Sequence, residues 1–258
     1  MSELISVLII AIVQGITEWL PVSSSGHLII ASHLLKYELN LDFMVALHFG
    51  TLLAIFIYFG KDIINIIRDI LNLDLKSRNT KLGISIIIAT IPAWILGLIL
   101  KDFIEKISND LLFLSMGLAI TSMILFIGSI DLSIRKKELK YKGALLIGLA
   151  QVLSLFRGIS RSGSTISSGL LLGLSEKEAV KFSFLLSIPI VLGANIITIG
   201  NKTLPSEYLW ASLASFFVGL CMIHISFTRI LNNKKNLRWL GVYTLLLALI
   251  IGIFLLIK

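Results

Sequence analysis

The sequence predicts an all-α protein that crosses a membrane several times, and three observations predict it. Hydrophobic residues make up 56% of the 258 positions and charged residues only 15%, where a soluble domain carries about 25% charged. The mean hydropathy is +0.95. Apolar runs long enough to span a bilayer recur along the chain, separated by short loops in which Lys and Arg concentrate. Helices satisfy their own backbone polar groups, as a lipid environment demands. The net charge of +8 therefore reads as an orientation signal, and no nucleic-acid partner is expected. Cys221 is the single cysteine, which excludes an intrachain disulfide and a thiolate metal cluster. Met1-Ser2-Glu3 lacks the basic region of a signal peptide, so the first apolar run reads as part of one mature membrane domain, 1–258.

Residues 4–35 are apolar but interrupted. The run 5–13 suffices for half a span. It is followed by Gln14, Glu18, Pro21, Ser23-Ser24-Ser25-Gly26-His27 and a second short apolar run. A comfortable span needs about 20 unbroken apolar residues. Two short helices meeting at a polar turn, a re-entrant hairpin, are predicted instead.

Residues 43–59 form the first full span, with His48 near its start. A basic loop at 61–81 leads to the second span, 82–100, with a kink expected at Pro92. The segment 101–110 is short and charge-balanced, and 111–130 is the third span. After the basic segment 131–142, residues 143–175 repeat the pattern of 4–35, with a polar turn between half-length apolar runs. The remaining spans are 182–199, 209–230 and 239–257, the last two joined through Arg229, Lys234, Lys235 and Arg238. This makes six spans and two hairpins.

The basic loops at 61–81, 131–142 and 229–238 are expected in the cytoplasm. The first hairpin then enters from outside and the second from inside. A shift of 137 residues aligns Gln14 with Gln151, Ser23 with Ser160, Ser25 with Ser162 and Gly26 with Gly163. The halves, about 1–130 and 143–258, thus read as an inverted repeat. Such repeats place a site where their broken helices meet.

The stretch Arg157-Gly158-Ile159-Ser160-Arg161-Ser162-Gly163-Ser164-Thr165 lies within an otherwise Leu- and Ile-rich sequence. Glycines and hydroxyls let a turn aim several donors at one place, and Arg adds a planar fork matched to phosphate oxygens. Glu18 lies in an apolar run, where a lone carboxylate is costly and needs a cation, a proton or a metal. Arg161 is its natural partner if the hairpins meet. Gln14 shares a helix face with Glu18. His27, three residues from Ser24, has the chemistry of a base, an acid or a nucleophile. His33, His48 and His224 lack such neighbours in sequence and read as packing or interfacial. No protein-only metal cluster is expected. A divalent cation, magnesium or calcium, bridging Glu18 and a diphosphate is compatible with these residues.

These motifs resemble the undecaprenyl-diphosphatases, or bacitracin-resistance proteins, over essentially the whole chain. The family's first motif is Glu or Gln, three residues, then Glu, leading into Leu-Pro-Val-Ser-Ser and Gly-His. Here it is Gln14-Gly15-Ile16-Thr17-Glu18 and Leu20-Pro21-Val22-Ser23-Ser24-Ser25-Gly26-His27. The second, Pro-Gly-x-Ser-Arg-Ser-x-x-Thr, is matched by 157–165, with Arg157 in place of Pro. Phe182-Ser183-Phe184-Leu185-Leu186-Ser187-Ile188-Pro189 also looks like the family.

The resemblance implies a plasma-membrane enzyme, often dimeric, that removes one phosphate from a polyprenyl diphosphate at the outer face. That reaction recycles the carrier lipid of cell-wall synthesis. Glu18, Ser24, His27 and Arg161 are the expected catalytic residues. Gln14, Ser23, Ser25, Arg157, Gly158, Ser160, Ser162, Gly163 and Thr165 are expected around the substrate. The charge on the transferred phosphoryl group is expected to rest on Arg161 and the 158–163 backbone. The attacking group is a serine hydroxyl or a water; among the serines the resemblance points to Ser24. The rival expectation is a transporter that flips a polyprenyl phosphate.

Overall fold

The computed structural model describes residues 3–107, 110–131, 138–199 and 205–257. Twelve α-helices follow in order among them: α1 Glu3–Thr17, α2 Ser24–Leu35, α3 Leu41–Tyr58, α4 Gly60–Leu71, α5 Arg78–Ile99, α6 Lys101–Ile107, α7 Leu111–Gly128, α8 Tyr141–Val152, α9 Arg161–Leu171, α10 Glu176–Ile199, α11 Ser206–Ile225 and α12 Asn236–Ile257. A 3-10 turn, Leu153–Leu155, extends α8, and a π turn, Ser226–Ile230, extends α11. Six helices, α3, α5, α7, α10, α11 and α12, are long and apolar enough to cross a membrane. The protein is a polytopic α-helical membrane protein.

The two expected hairpins are present. Helices α1 and α2 have 15 and 12 residues, and α8 and α9 have 12 and 11, all short of the ~20 that a span needs. Within each hairpin the two helices pack together. The turns are built alike. Ser23 caps α2 by accepting from the Gly26 amide at 3.3 Å, and Ser160 caps α9 by accepting from the Gly163 amide at 3.0 Å. Ser25 and Ser162 stand beside these caps, with hydroxyl separations of 3.4 and 3.3 Å.

The hairpins are wedged among the long helices. Helix α1 packs on α11 and α8 on α5, while α3 pairs with α10 and α11 and α12 with α7. Small residues allow the closest approaches. A Cβ on Gly148 of α8 would come within 2.5 Å of the Ala89 carbonyl oxygen of α5. The second turn is fastened to α7. Gly158 has φ +92°, and a Cβ there would meet the Leu114 carbonyl oxygen at 2.5 Å, so only glycine fits. Buried Thr121 donates to the Gly158 carbonyl at 2.7 Å and accepts from the Ser160 amide at 2.9 Å.

Several boundaries differ from the apolar pattern. Residues 61–81 were expected as a loop but contain α4, which turns Ile63, Ile66 and Ile70 toward the core and exposes Ile64, Ile67 and Leu71. Apolar residues at three- and four-residue spacing are its signal. Lys101–Ile107 is helical rather than a plain connection. Helices α10, α11 and α12 begin three to six residues earlier than predicted, because their first turns are polar. At α10, Ser175 and Glu178 cap each other reciprocally: Ser175 Oγ donates to the Glu178 carboxylate at 2.7 Å and accepts from the Glu178 amide at 3.3 Å. Pro92 lies inside α5 as expected, with Pro189 as its counterpart in α10. Arg135, Lys136 and Lys137 of the second basic loop lie outside the described residues.

Candidate active site

Two polar breaks that lie 143 residues apart in sequence meet inside the helical body. Arg161, the first residue of α9, reaches across and donates from Nη2 to Glu18 Oε1 at 2.8 Å. Its Nη1 donates to the Ser183 carbonyl of α10 at 3.2 Å. Ser162 adds a second cross-link between the turns, its hydroxyl donating to the Leu20 carbonyl at 3.2 Å. Both charged side chains are largely enclosed, with 6% of Glu18 and 13% of Arg161 exposed. An enclosed carboxylate without a partner is costly, and here it is matched.

The second oxygen of Glu18 is equally occupied. Ser24, the first residue of α2, donates its hydroxyl to Oε2 at 2.7 Å. Gln14, one helical turn before Glu18, donates its amide to the same oxygen at 3.2 Å. His48 Nδ1 of α3 lies 3.2 Å from it as well. His48 was expected to be packing or interfacial, and the structure corrects this by placing it against Glu18 and Gln14. No sequence neighbour announces it, because α3 brings it in from 30 positions away.

Glu18, Ser24, His48 and Arg161 open on a cavity of about 430 Å³, while Gln14, expected around the substrate, is fully buried behind them. One end is polar, with Glu18, Ser23, Ser24, Ser25, His48 and Ser160–Ser162 at its wall. The other end runs between α5 and α10 and is mostly apolar, with Ala93, Trp94 and Leu98 facing Ile190, Val191 and Ala194. These lining stretches begin directly after Pro92 and Pro189, where a missing amide frees a carbonyl and loosens the helix. The indole of Trp94 lies over Gly193: a Cβ there would meet its Nε1 at 2.8 Å.

Two helix N-termini converge on the polar end, those of α2 and α9. The first amides of a helix lack intrahelical acceptors. At α9 the Gly163 amide is spent on the Ser160 hydroxyl and the Ser164 amide on the Ser160 carbonyl. The first two amides of α9, those of Arg161 and Ser162, have no intrahelical acceptor. Two such ends aimed at one space favour an anion.

Not every expected residue faces the cavity. Gly158, Gly163 and Thr165 shape the second turn from behind, Thr165 by sharing a 2.7 Å hydrogen bond with Ser183. Arg157 stands off the cavity wall, its guanidinium 3.7 Å from the Met44 sulfur. His27 also lies off the wall. Its Nδ1–H donates to the Ser23 carbonyl at 2.7 Å, and its Nε2 accepts from the Tyr243 hydroxyl at 2.6 Å. It braces the α2 turn against α12. Among the described residues no group of three or more His, Cys, Asp or Glu could hold a metal ion. Among the described residues Glu18 is the one carboxylate at the cavity wall, fewer anionic ligands than a divalent-ion cage made of protein alone uses.

Fold and site together define a polytopic membrane protein with a pocket, polar where two broken helices meet. Comparison with known proteins gives the particular family. The sequence matches the family described as Bacitracin resistance protein BacA over residues 7–250, and the chain belongs to that family. A protein of Methanosphaera stadtmanae named undecaprenyl-diphosphatase is 39% identical over 252 residues, covering 92% of this chain and 91% of the relative. One of Thermosipho melanesiensis with the same name is 40% identical, covering 94% and 96%. A third, from Korarchaeum cryptofilum, is 37% identical, covering 91% and 94%.

Proposed function

We propose that the protein is a membrane phosphatase that hydrolyses undecaprenyl or another polyprenyl diphosphate to the monophosphate and phosphate. One observation carries the reading: the chain Ser24–Glu18–Arg161 at the polar end of a cavity whose remaining wall is mostly apolar. That shape suits a lipid with a phosphorylated head. The diphosphate sits between the N-termini of α2 and α9, and the prenyl tail leaves between α5 and α10 into lipid. Kinship with relatives named undecaprenyl-diphosphatase supports the same substrate.

The Ser24 hydroxyl points at Glu18 Oε2, so its proton has an acceptor. The Ser24 oxygen attacks the terminal phosphorus as Glu18 takes that proton. The bond to the bridging oxygen breaks, and polyprenyl monophosphate leaves with the electron pair. Water then attacks the phosphorus of the Ser24 phosphoester, the P–Oγ bond breaks, the proton held by Glu18 returns to Ser24 Oγ, and phosphate leaves with the water oxygen and its protons. Arg161 and the first two amides of α9 hold the charge on the transferred group. His27 acts on this site through the Ser23 turn.

The cavity faces the outside of the plasma membrane in this reading. Helix α5 starts at Arg78 beside a basic loop and lines the cavity with its opposite end, from Ala93 onward. The basic loop marks the cytoplasmic side. The recurring caps at Ser23 and Ser160 and the exchanged packing of α1 on α11 and α8 on α5 support an inverted repeat.

The test is phosphate release from polyprenyl diphosphate by the purified protein in detergent, with no gradient present. Release supports the phosphatase. Movement of polyprenyl phosphate across sealed vesicles without release would overturn it in favour of the transporter.

A further inference from the structure

We propose that His48 is a positioning residue of this site, holding Glu18 open toward Ser24 against the pull of Arg161. The inference rests on the phosphatase reading above. Arginine and carboxylate groups favour a two-pronged pairing in which both oxygens meet the guanidinium fork. Here Arg161 holds only Oε1, and its other nitrogen goes to the Ser183 carbonyl. Something must keep Oε2 turned away, and His48 and Gln14 occupy that side.

The proton arrangement around His48 follows from its neighbours. Gln14 Nε2 lies 2.9 Å from His48 Nδ1 and 3.2 Å from Glu18 Oε2. A bare Nδ1 would set its lone pair against the carboxylate oxygen at 3.2 Å. A protonated Nδ1 donates to Oε2 instead, beside the Gln14 amide and the Ser24 hydroxyl. Turning the Gln14 amide around would place its oxygen against the carboxylate, and in the observed orientation that Oε1 is buried with no partner among the described residues. Nδ1–H faces the Gln14 amide nitrogen, itself a donor, at 2.9 Å, but a hydrogen bond to a carboxylate outweighs one between neutral groups; Nδ1–H is therefore the favoured form, and it leaves Nε2 as an acceptor on a side chain that lines the cavity. Without this donor, Oε2 swings toward Arg161 and Ser24 loses its proton acceptor.

The experiment compares wild type with His48→Asn and His48→Leu, which share the same side-chain branching, using purified protein. An asparagine amide nitrogen takes the place of Nδ1–H; leucine has no donor. Misplacing a reacting group by about 1 Å costs about 10²-fold, and the loss is expected in kcat for His48→Leu with KM within about two-fold. His48→Asn is expected to recover most of it, with equal melting temperatures for the two variants. Nitrogen NMR of labelled wild-type His48 should show Nδ1 protonated and Nε2 bare, a readout that does not depend on either variant folding. Wild-type release with His48→Leu equally active, His48→Asn as poor as His48→Leu, or a bare Nδ1 would each overturn the role of His48 alone. No phosphate release by wild type would overturn the phosphatase reading together with this one.

Discussion

The Trp19 indole meets the Phe184 ring edge-on, with centroids 5.0 Å apart and planes inclined at 62°. Each follows a residue of the site, Glu18 and Ser183. Trp19 is 1% exposed and Phe184 fully buried. The pair locks the first turn to α10 directly behind the bond from Arg161 to the Ser183 carbonyl. Trp19→Ala is expected to cost about 3–5 kcal/mol through the cavity it leaves. Steric-trapping or thermal unfolding in detergent measures the loss. A change under about 1 kcal/mol would show that the turn is held elsewhere.

Arg161→Ala and Glu18→Ala should each lower turnover by at least about 10²–10³-fold while inserting normally. Glu18→Ala also strands the Arg161 cation, so its stability should fall more than that of Glu18→Gln. Near-wild-type phosphate release by either alanine variant would falsify the assignment.

Gly158→Ala meets two obstacles, a positive φ and the Leu114 carbonyl at 2.5 Å from the new Cβ. The turn must move away from α7 and carry the α9 N-terminus with it. Lower stability and reduced turnover are expected together. Thr121→Val removes the hydrogen bonds to Gly158 and Ser160 without the steric clash, so it should reduce turnover more than stability.

Sidedness is testable with thiol labelling once the exposed Cys221 is replaced by serine. A Ser24→Cys variant should react with an impermeant reagent in sealed cells. A Lys76→Cys variant, in the first basic loop, should react only after the membrane is opened. Labelling of the Lys76 position in sealed cells would reverse the outer-face reading.

Asp69 joins α4 to the start of α5. It accepts from the Ser77 hydroxyl at 2.6 Å and the Asn79 amide at 2.9 Å. The Ser77 bond first, and then the Asn79 bond, hold its carboxyl below the usual carboxylate range. For a lowered pKa, the stabilisation is present above the unfolded value and is lost as pH falls through the folded one. Hydrogen exchange in the α4–α5 link should therefore quicken below about pH 4, where a carboxylate ordinarily titrates. Asp69→Asn should make that link insensitive to acid.

Much of this protein was determined by local pattern. Uninterrupted apolar runs specify the six spans, because in lipid backbone groups must bond within the protein and a run of about 20 apolar residues does so as a helix. Polar turns inside runs too short to cross specify the two hairpins. The cost of a lone charge in such a setting already implied the pairing of Glu18 with Arg161. Helix beginnings were less legible, because polar caps such as Ser175 and Glu178 lie outside any apolar pattern. Only the tertiary structure decided which other groups reach Glu18. His27 stands three residues from Ser24, yet the helical rotation of α2 turns it to the Ser23 carbonyl and Tyr243. His48 has no suggestive neighbour in sequence, yet the packing of α3 brings it to 3.2 Å from the carboxylate. Composition and spacing report what one element can do alone. Contacts between elements depend on crossing geometry and helix rotation, which short motifs do not encode.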